Sequence, residues 1–264
     1  MTGIERIAEA FASARANGRR AALMPYLMGG FPDLDTSLQI GLAYAEAGAD
    51  LVELGVPFSD PLADGPVIHA ADTAALAAGA TLDHVLEVGR AIAHHVPVIV
   101  MCYCNPILAR GIERFADALV AGGASGLIVP DLPLEESSAA LAACDDRGLA
   151  LVPLLAPNTP ADRLARIGAC ARGFLYVVSL TGTTGERGSL DGSLAALVSR
   201  AAAHTEVPVA VGFGIATPEQ ARGAAAAGAD GVIVGSRLVR AAGEADDPAA
   251  AVAALVAELS AALR

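Results

Sequence analysis

The chain of 264 residues contains no lysine: all 17 of its basic residues are arginine. Lacking lysine, it forms no Schiff base of its own with a carbonyl substrate or with pyridoxal phosphate. A Walker-type phosphate site, whose lysine reaches the terminal phosphates, is excluded for the same reason. Tryptophan is absent and aromatic residues make up only 4%, too few rings for a base-stacking platform. The formal net charge is −12, which argues against nucleic acid as a partner, because cationic contacts to phosphate dominate that affinity. Long apolar runs are missing too. The longest charge-free stretch, 96–108, is broken by Pro97, Asn105 and Pro106 and falls short of the roughly 20 residues that span a bilayer. Glu5 and Arg6 sit in the opening segment, unlike a secretory signal. The expectation is a cytoplasmic protein with no membrane attachment. Its mean hydropathy of +0.52 then reflects strands buried on both faces.

Cysteine is scarce: Cys102, Cys104, Cys144 and Cys170. Cys102 and Cys104 alternate within an apolar run, so as strand residues they would share a face. No C-x-x-C or neighbouring histidine marks a metal site, and buried reduced thiols are expected, with no metal.

What the chain has is alternation. Short β-branched runs at 22–27, 49–55, 96–102, 126–129, 150–155, 174–179, 207–212 and 231–235 are separated by Ala/Leu-rich amphipathic stretches such as 36–47, 81–94, 112–121, 137–147 and 218–227. Gly48, Gly148 and Gly228 follow three of those stretches, where a left-handed C-cap residue belongs. Eight strands alternating with helices predict an α/β fold, a (β/α)8 TIM barrel. An open doubly wound sheet is the alternative, but no G-x-G-x-x-G follows the first strand. No linker or shift in composition divides the chain, so one domain over 1–264 is expected. An extra N-terminal helix precedes the first strand. Thr2 and Glu5 make a capping box, and Ile4, Ile7, Ala8 and Phe11 an apolar face that would cover the bottom of the barrel.

Active sites of such barrels lie at the C-terminal ends of the strands. The second strand carries a carboxyl there, Glu53, in the run Leu51-Val52-Glu53-Leu54-Gly55-Val56. Burial would raise its pKa towards neutrality, as a general acid–base requires; the alternative is a structural ion pair. The loop that follows, 57–66, holds Asp60 and Asp64 among three prolines and Gly65. Those aspartates either face a ligand or serve as turn and cap residues. Gly212-Phe213-Gly214 runs into a capping box of Thr217 and Gln220 with Pro218 at N1, and Val234-Gly235-Ser236 ends the eighth strand at a helix start. Backbone N–H groups of this kind bind phosphate without a cationic side chain, and barrels often bind phosphate after strands seven and eight; ordinary turns are the alternative. The segment 179–188, rich in glycine and threonine, is read either as a lid that excludes water or as a static surface loop.

The fourteen residues from Glu53 to Pro66, taken with Tyr103, Asn105-Pro106, Pro130-Asp131-Leu132-Pro133 and Gly212-Phe213-Gly214, closely resemble the tryptophan synthase alpha chain family. The resemblance extends over nearly the whole chain. It implies retro-aldol cleavage of indole-3-glycerol phosphate to indole and glyceraldehyde 3-phosphate, with Glu53 as general acid–base and Asp64 accepting from the indole N–H. It further implies that Tyr26, Met101 and Ile128 line the indole pocket, that Tyr176 and Thr184 take substrate-site and lid positions, and that Gly185, Gly214, Gly235 and Ser236 cradle the phosphate. Pro57, Asp60, Asn105, Pro106 and Asp131 match a partner interface. The implied partner is a pyridoxal-phosphate (PLP) beta chain in an alpha2beta2 complex, which would carry the cofactor and the lysine; this chain would carry no cofactor. Leu180, Thr183 and His69 depart from the residues common in the family. Alternative readings are a phosphate-binding regulatory subunit without catalysis, a stand-alone indole-releasing lyase, and a sugar-phosphate isomerase or epimerase on the same barrel.

Overall fold

The computed structural model describes residues 1–178, 192–212 and 214–264. In chain order its elements are α1 (Gly3–Ala16), β1 (Ala22–Met28), α2 (Leu34–Glu46), β2 (Val52–Gly55), α3 (Pro66–Ala77), α4 (Leu82–Ile92), β3 (Val98–Met101), α5 (Cys104–Arg110), α6 (Ile112–Ala121) and β4 (Gly126–Ile128). They continue with α7 (Ser138–Asp145), β5 (Ala150–Val152), β6 (Leu154–Leu155), α8 (Ala161–Cys170), β7 (Leu175–Val178), α9 (Gly192–Ala202), β8 (Val209–Gly212), α10 (Pro218–Ala226), β9 (Gly231–Val234), α11 (Ser236–Glu244) and α12 (Pro248–Ala262).

All strand pairs among the described residues are parallel, in the order β5-β4-β3-β2-β1-β9-β8-β7-β6. The two ends of that order, β5 and β6, are neighbours in the chain, so the sheet curls into the expected TIM barrel. The single strand expected over 150–155 is split at Pro153. Proline has no N–H to give to a ladder; its carbonyl instead accepts from the Tyr176 N–H at 3.1 Å. The first half of this segment therefore pairs with β4 and the second half with β7.

An Ala-Gly-Ala-Asp sequence occurs at 47–50 and again at 227–230, in front of β2 and β9. Both aspartates do the same work. Asp50 gives its N–H to the Leu23 carbonyl and takes the Leu23 N–H on Oδ2 at 2.8 Å. Asp230 repeats this with Val209, again at 2.8 Å. Each aspartate closes the base of its strand onto the neighbour. Arg19 and Arg15 compensate the two carboxylates in turn. Gly48, Gly148 and Gly228 all adopt positive φ, as the helix ends require.

Two apolar layers hold the barrel. The outer one packs helices on strands, with Leu27, Leu54, Val100 and Val211 on the strand side. The inner one is built from Met24, Leu51, Ile99, Ile128, Phe174, Tyr176 and Ile233. Helix α1 plugs its base: the Thr2–Glu5 capping box forms, and Phe11 meets Phe174 with ring centroids 6.0 Å apart. The plugging face is Ile7, Phe11 and Ala14, with Ile4 packed beside it. Ala8, expected on that face, is exposed. The spacing i, i+4, i+7 carries the contact around to Ala14 instead.

Cys102 and Cys104 do not share a strand face. β3 ends at Met101, Cys102 enters the outer core, and Cys104 begins α5. All four cysteines are free thiols. No helix among the described residues is long and apolar enough to cross a membrane.

Candidate active site

The strands end at a mouth where three of the four tyrosines and three buried or half-buried carboxyl groups meet. Tyr26 on β1 and Glu53 on β2 are register partners across adjacent strands. Glu53 is 2% exposed, and its Oε2 has no hydrogen-bond partner among the described residues. Burial first, and then the nearby charge of Asp64, raise its pKa to about 8. No cation among the described residues offsets these effects, and none of them forms an ion pair with Glu53. A carboxyl in that state is protonated at neutral pH and poised to exchange its proton.

Asp64 sits in the loop between β2 and α3. The half-turn before it is closed by its own N–H, which donates to the Pro61 carbonyl. Its Oδ2 accepts from the Tyr103 hydroxyl at 2.9 Å. The same hydroxyl accepts the Ala63 N–H at 3.0 Å, and the Tyr103 ring stacks on Phe58, centroids 5.2 Å apart. Burial pushes the Tyr103 phenol up, so it stays neutral and donates. Asp64 is no helix cap: α3 starts at Gly65 without any side-chain cap. Burial raises its pKa, while the Tyr103 bond and the charge of His69 pull it back down. Burial thus raises both carboxyl groups, Glu53 to about 8 and Asp64 against the pull of Tyr103 and His69.

The barrel wall beneath them is apolar. Tyr26 and Tyr176 are buried, and burial holds both phenols well above their ordinary value. Ile128 is fully buried in the inner layer beside Tyr176, and Met101 packs against both the inner layer and the cluster around Tyr26. Met101 thus links the cluster of Tyr26 to the inner layer of Ile128 and Tyr176.

Helices α10 and α11 follow the paired strands β8 and β9, the second of which borders β1, but the two are capped differently. The α10 N-terminus is occupied by its own side chains. The Thr217 hydroxyl accepts the Gln220 N–H at 3.3 Å, and Gln220 Oε1 accepts from Ala216 at 2.7 Å and Thr217 at 3.1 Å. The α11 N-terminus has no side-chain cap; Gly235 stands at the cap position and Ser236 is the first helical residue. First-turn N–H groups that no side chain occupies favour an anion. Gly214, at φ +80°, adopts the left-handed region just before α10. Thr184 and Gly185, like Leu180 and Thr183, lie outside the described residues.

The residues matched to a partner surface are placed unevenly. Asp60 and Asn105 are exposed, and Pro106 is half-buried on α5. Asp131 is exposed, and its Oδ1 accepts the Cys104 N–H at 2.8 Å, fixing the start of α5. Pro57 is buried beneath the loop it begins.

Two residues of the site escaped the sequence reading. Tyr103 entered there only as part of a motif, with no role. Asp72 did not enter at all, although it lies on the apolar stripe of α3 with Ile68, Ala71 and Ala75. A carboxyl at that periodic position was the available signal.

Comparison with known proteins points to one family. The family model described as "Tryptophan synthase alpha chain" matches residues 11–263. The tryptophan synthase alpha chain of Synechococcus elongatus is 51% identical over 235 residues, covering 88% of both chains. That of Roseiflexus castenholzii is 49% identical over 241 residues, covering 89% of this chain and 91% of the relative. A solved structure of Mycobacterium tuberculosis tryptophan synthase superposes with a TM-score of 0.91 at 41% identity, covering 98% of each chain. A solved structure of the tryptophan synthase alpha2beta2 complex of Pyrococcus furiosus gives a TM-score of 0.85 at 37% identity, covering 90% of this chain and 97% of that one.

Proposed function

Since the chain belongs to the tryptophan synthase alpha chain family, we propose that its barrel mouth cleaves indole-3-glycerol phosphate to indole and glyceraldehyde 3-phosphate. The chain is an alpha subunit of tryptophan biosynthesis and an enzyme of lyase type. The observation that carries the specific reaction is the opposed pair at the mouth: Glu53 buried and neutral, Asp64 held by the Tyr103 hydroxyl.

Chemically, Glu53 gives its proton to the indole ring carbon that bears the glycerol chain. The ring nitrogen becomes positively charged, and Asp64 accepts its N–H. Ionised Glu53 then removes the proton from the hydroxyl next to the ring. The carbon–carbon bond breaks, its electron pair returns to the ring, and the hydroxyl carbon leaves as the aldehyde. The proton that Glu53 gave stays on the ring carbon of indole, and the hydroxyl proton replaces it on Glu53. A fixed carboxylate beside developing positive charge is worth most where water is excluded, which the apolar lining of Tyr26, Met101, Ile128 and Tyr176 supports. The ring acts as electron sink, consistent with a chain that has no lysine.

The phosphate would rest on the N-terminus of α11 at Gly235 and Ser236, with Gly214 and, from the segment outside the described residues, Thr184 and Gly185. No cofactor is assigned to this chain. Its partner would be a beta chain carrying pyridoxal phosphate, in an alpha2beta2 complex of the cytoplasm, as in the Pyrococcus furiosus structure for the assembly. Leu62 and Leu108, 90% and 63% exposed, support a docking face there. One lies in the loop that carries Asp60, the other on α5 with Asn105 and Pro106, and large exposed apolar side chains beside such residues mark contact surfaces.

The test is incubation with indole-3-glycerol phosphate, with and without a beta chain. Release of indole that the beta chain accelerates is expected. No release in either condition would favour a regulatory subunit, and a full rate from the isolated chain a stand-alone lyase.

A further inference from the structure

Asp72 is 1% exposed and unlike any other charged residue on its helix face, which is otherwise apolar. Its Oδ1 accepts the Phe58 N–H at 3.0 Å, and its Oδ2 is buried without a hydrogen-bond partner among the described residues. That single bond ties α3 to the start of the loop carrying Asp64. From Phe58 the connection continues without a break. The Phe58 ring stacks on Tyr103, and the Tyr103 hydroxyl binds both the Ala63 N–H and Asp64 Oδ2. Pro61 stiffens the loop between these two ends, and Pro57 and Pro66 flank it.

We propose that Asp72 is a positioning residue for the cleavage reaction, fixing through Phe58 and Tyr103 the place of the Asp64 carboxylate. The inference rests on the role proposed for Asp64 and adds a residue of α3 to it. Burying a carboxyl on an apolar helix face costs stability. An apolar side chain would avoid that cost but would leave the Phe58 N–H without its acceptor. Its pKa is pushed up to about 7, by burial and then by the charge of Asp64, against the Phe58 bond. The acceptor oxygen serves Phe58 in either protonation state.

The experiment compares D72A and D72N in the full chain, with three readouts. These are kcat and KM for indole release, amide hydrogen exchange at Phe58 and Ala63, and the Kd of glycerol 3-phosphate. D72A removes the acceptor. It is expected to lower kcat on the order of 10–100-fold, the scale of a misplacement near 1 Å, with KM and the Kd within about twofold, because Asp64 acts on charge present only in the transition state. Exchange should quicken at Ala63 as well as Phe58. D72N keeps a carbonyl oxygen for the same N–H and should restore most of kcat. Wild-type kcat in D72A, unchanged exchange at Ala63, or a D72N variant as impaired as D72A would overturn the proposal. If D72A does not fold, D72V, which is apolar on an apolar face, takes its place with the same expectations. D64N separates the two readings. If D64N cleaves normally, the role of Asp64 is wrong; if it is inactive while D72A is normal, only the relay is wrong.

Discussion

Tyr26 lies across Gly55 so closely that a Cβ built at position 55 would sit 2.1 Å from its hydroxyl oxygen. The same contact recurs across the barrel, where a Cβ at Gly212 would sit 2.4 Å from the Tyr176 hydroxyl oxygen. In both pairs the glycine is two residues beyond the register partner of the tyrosine, on the next strand. The two rings can lean inward at the mouth only because those strands end without side chains. Gly55→Ala should therefore displace Tyr26 and destabilise the fold by about 1–3 kcal/mol, the usual cost of overpacking. Thermal unfolding measures the loss. Cleavage should suffer, and because Gly235 lies against Tyr26, glycerol 3-phosphate binding should weaken with it.

Tyr103→Phe tests the hydroxyl that faces Asp64. It leaves the stack on Phe58 and removes both hydrogen bonds. Leaving the Ala63 N–H without its acceptor should cost about 1–2 kcal/mol, and kcat/KM for indole release should fall on the order of tenfold as Asp64 loses its constraint. Unchanged kinetics would mean that Asp64 is held by other contacts.

The two carboxyl groups set the pH profile. Activity needs Asp64 ionised and Glu53 protonated. The profile of kcat/KM should be bell-shaped, with an alkaline limb at an apparent pKa near 8 from Glu53. The acid limb should lie above the ordinary aspartate value of 3.8, because burial raises Asp64. The groups interact, so the limbs belong to the set as a whole. A flat profile between pH 5 and 9 would contradict the assignment.

Stability must carry the opposite imprint. Between the ordinary value of 4.5 and about 8, folded Glu53 keeps a proton that the unfolded chain has released. Stability therefore falls as pH rises through that window, and Asp72 adds to the fall between 3.8 and about 7. Glu53→Gln removes its share. The variant should melt several degrees above the wild type at pH 8.5 and nearly with it at pH 4, as scanning calorimetry would show.

Much of this was legible in the residues themselves. The alternation of β-branched and Ala/Leu-rich runs predicts the barrel, since strands buried on both faces must be apolar throughout. Glu53 stands out because it breaks that rule. The split at Pro153 was hidden: its run is as apolar as the others, and only the missing N–H, read against two different neighbours, divides it. Ala8 was misjudged because alanine is apolar enough for either face. Asp72 stayed invisible for the converse reason. An aspartate in a helix near a proline-rich loop passes for a surface residue until packing shows that its face turns inward. Residues that act through another side chain, as Tyr103 does, carry no local pattern, because what they touch is 39 residues away.

One comparison tests the role of Glu53 most directly: indole release by Glu53→Gln against wild type, at saturating indole-3-glycerol phosphate and with a beta chain present. Glutamine keeps the shape but neither gives nor takes the proton. Removing a general acid–base typically costs 10²–10⁴-fold in rate; a loss on that order with glycerol 3-phosphate still bound is the predicted result. Turnover within a few-fold of wild type would contradict it.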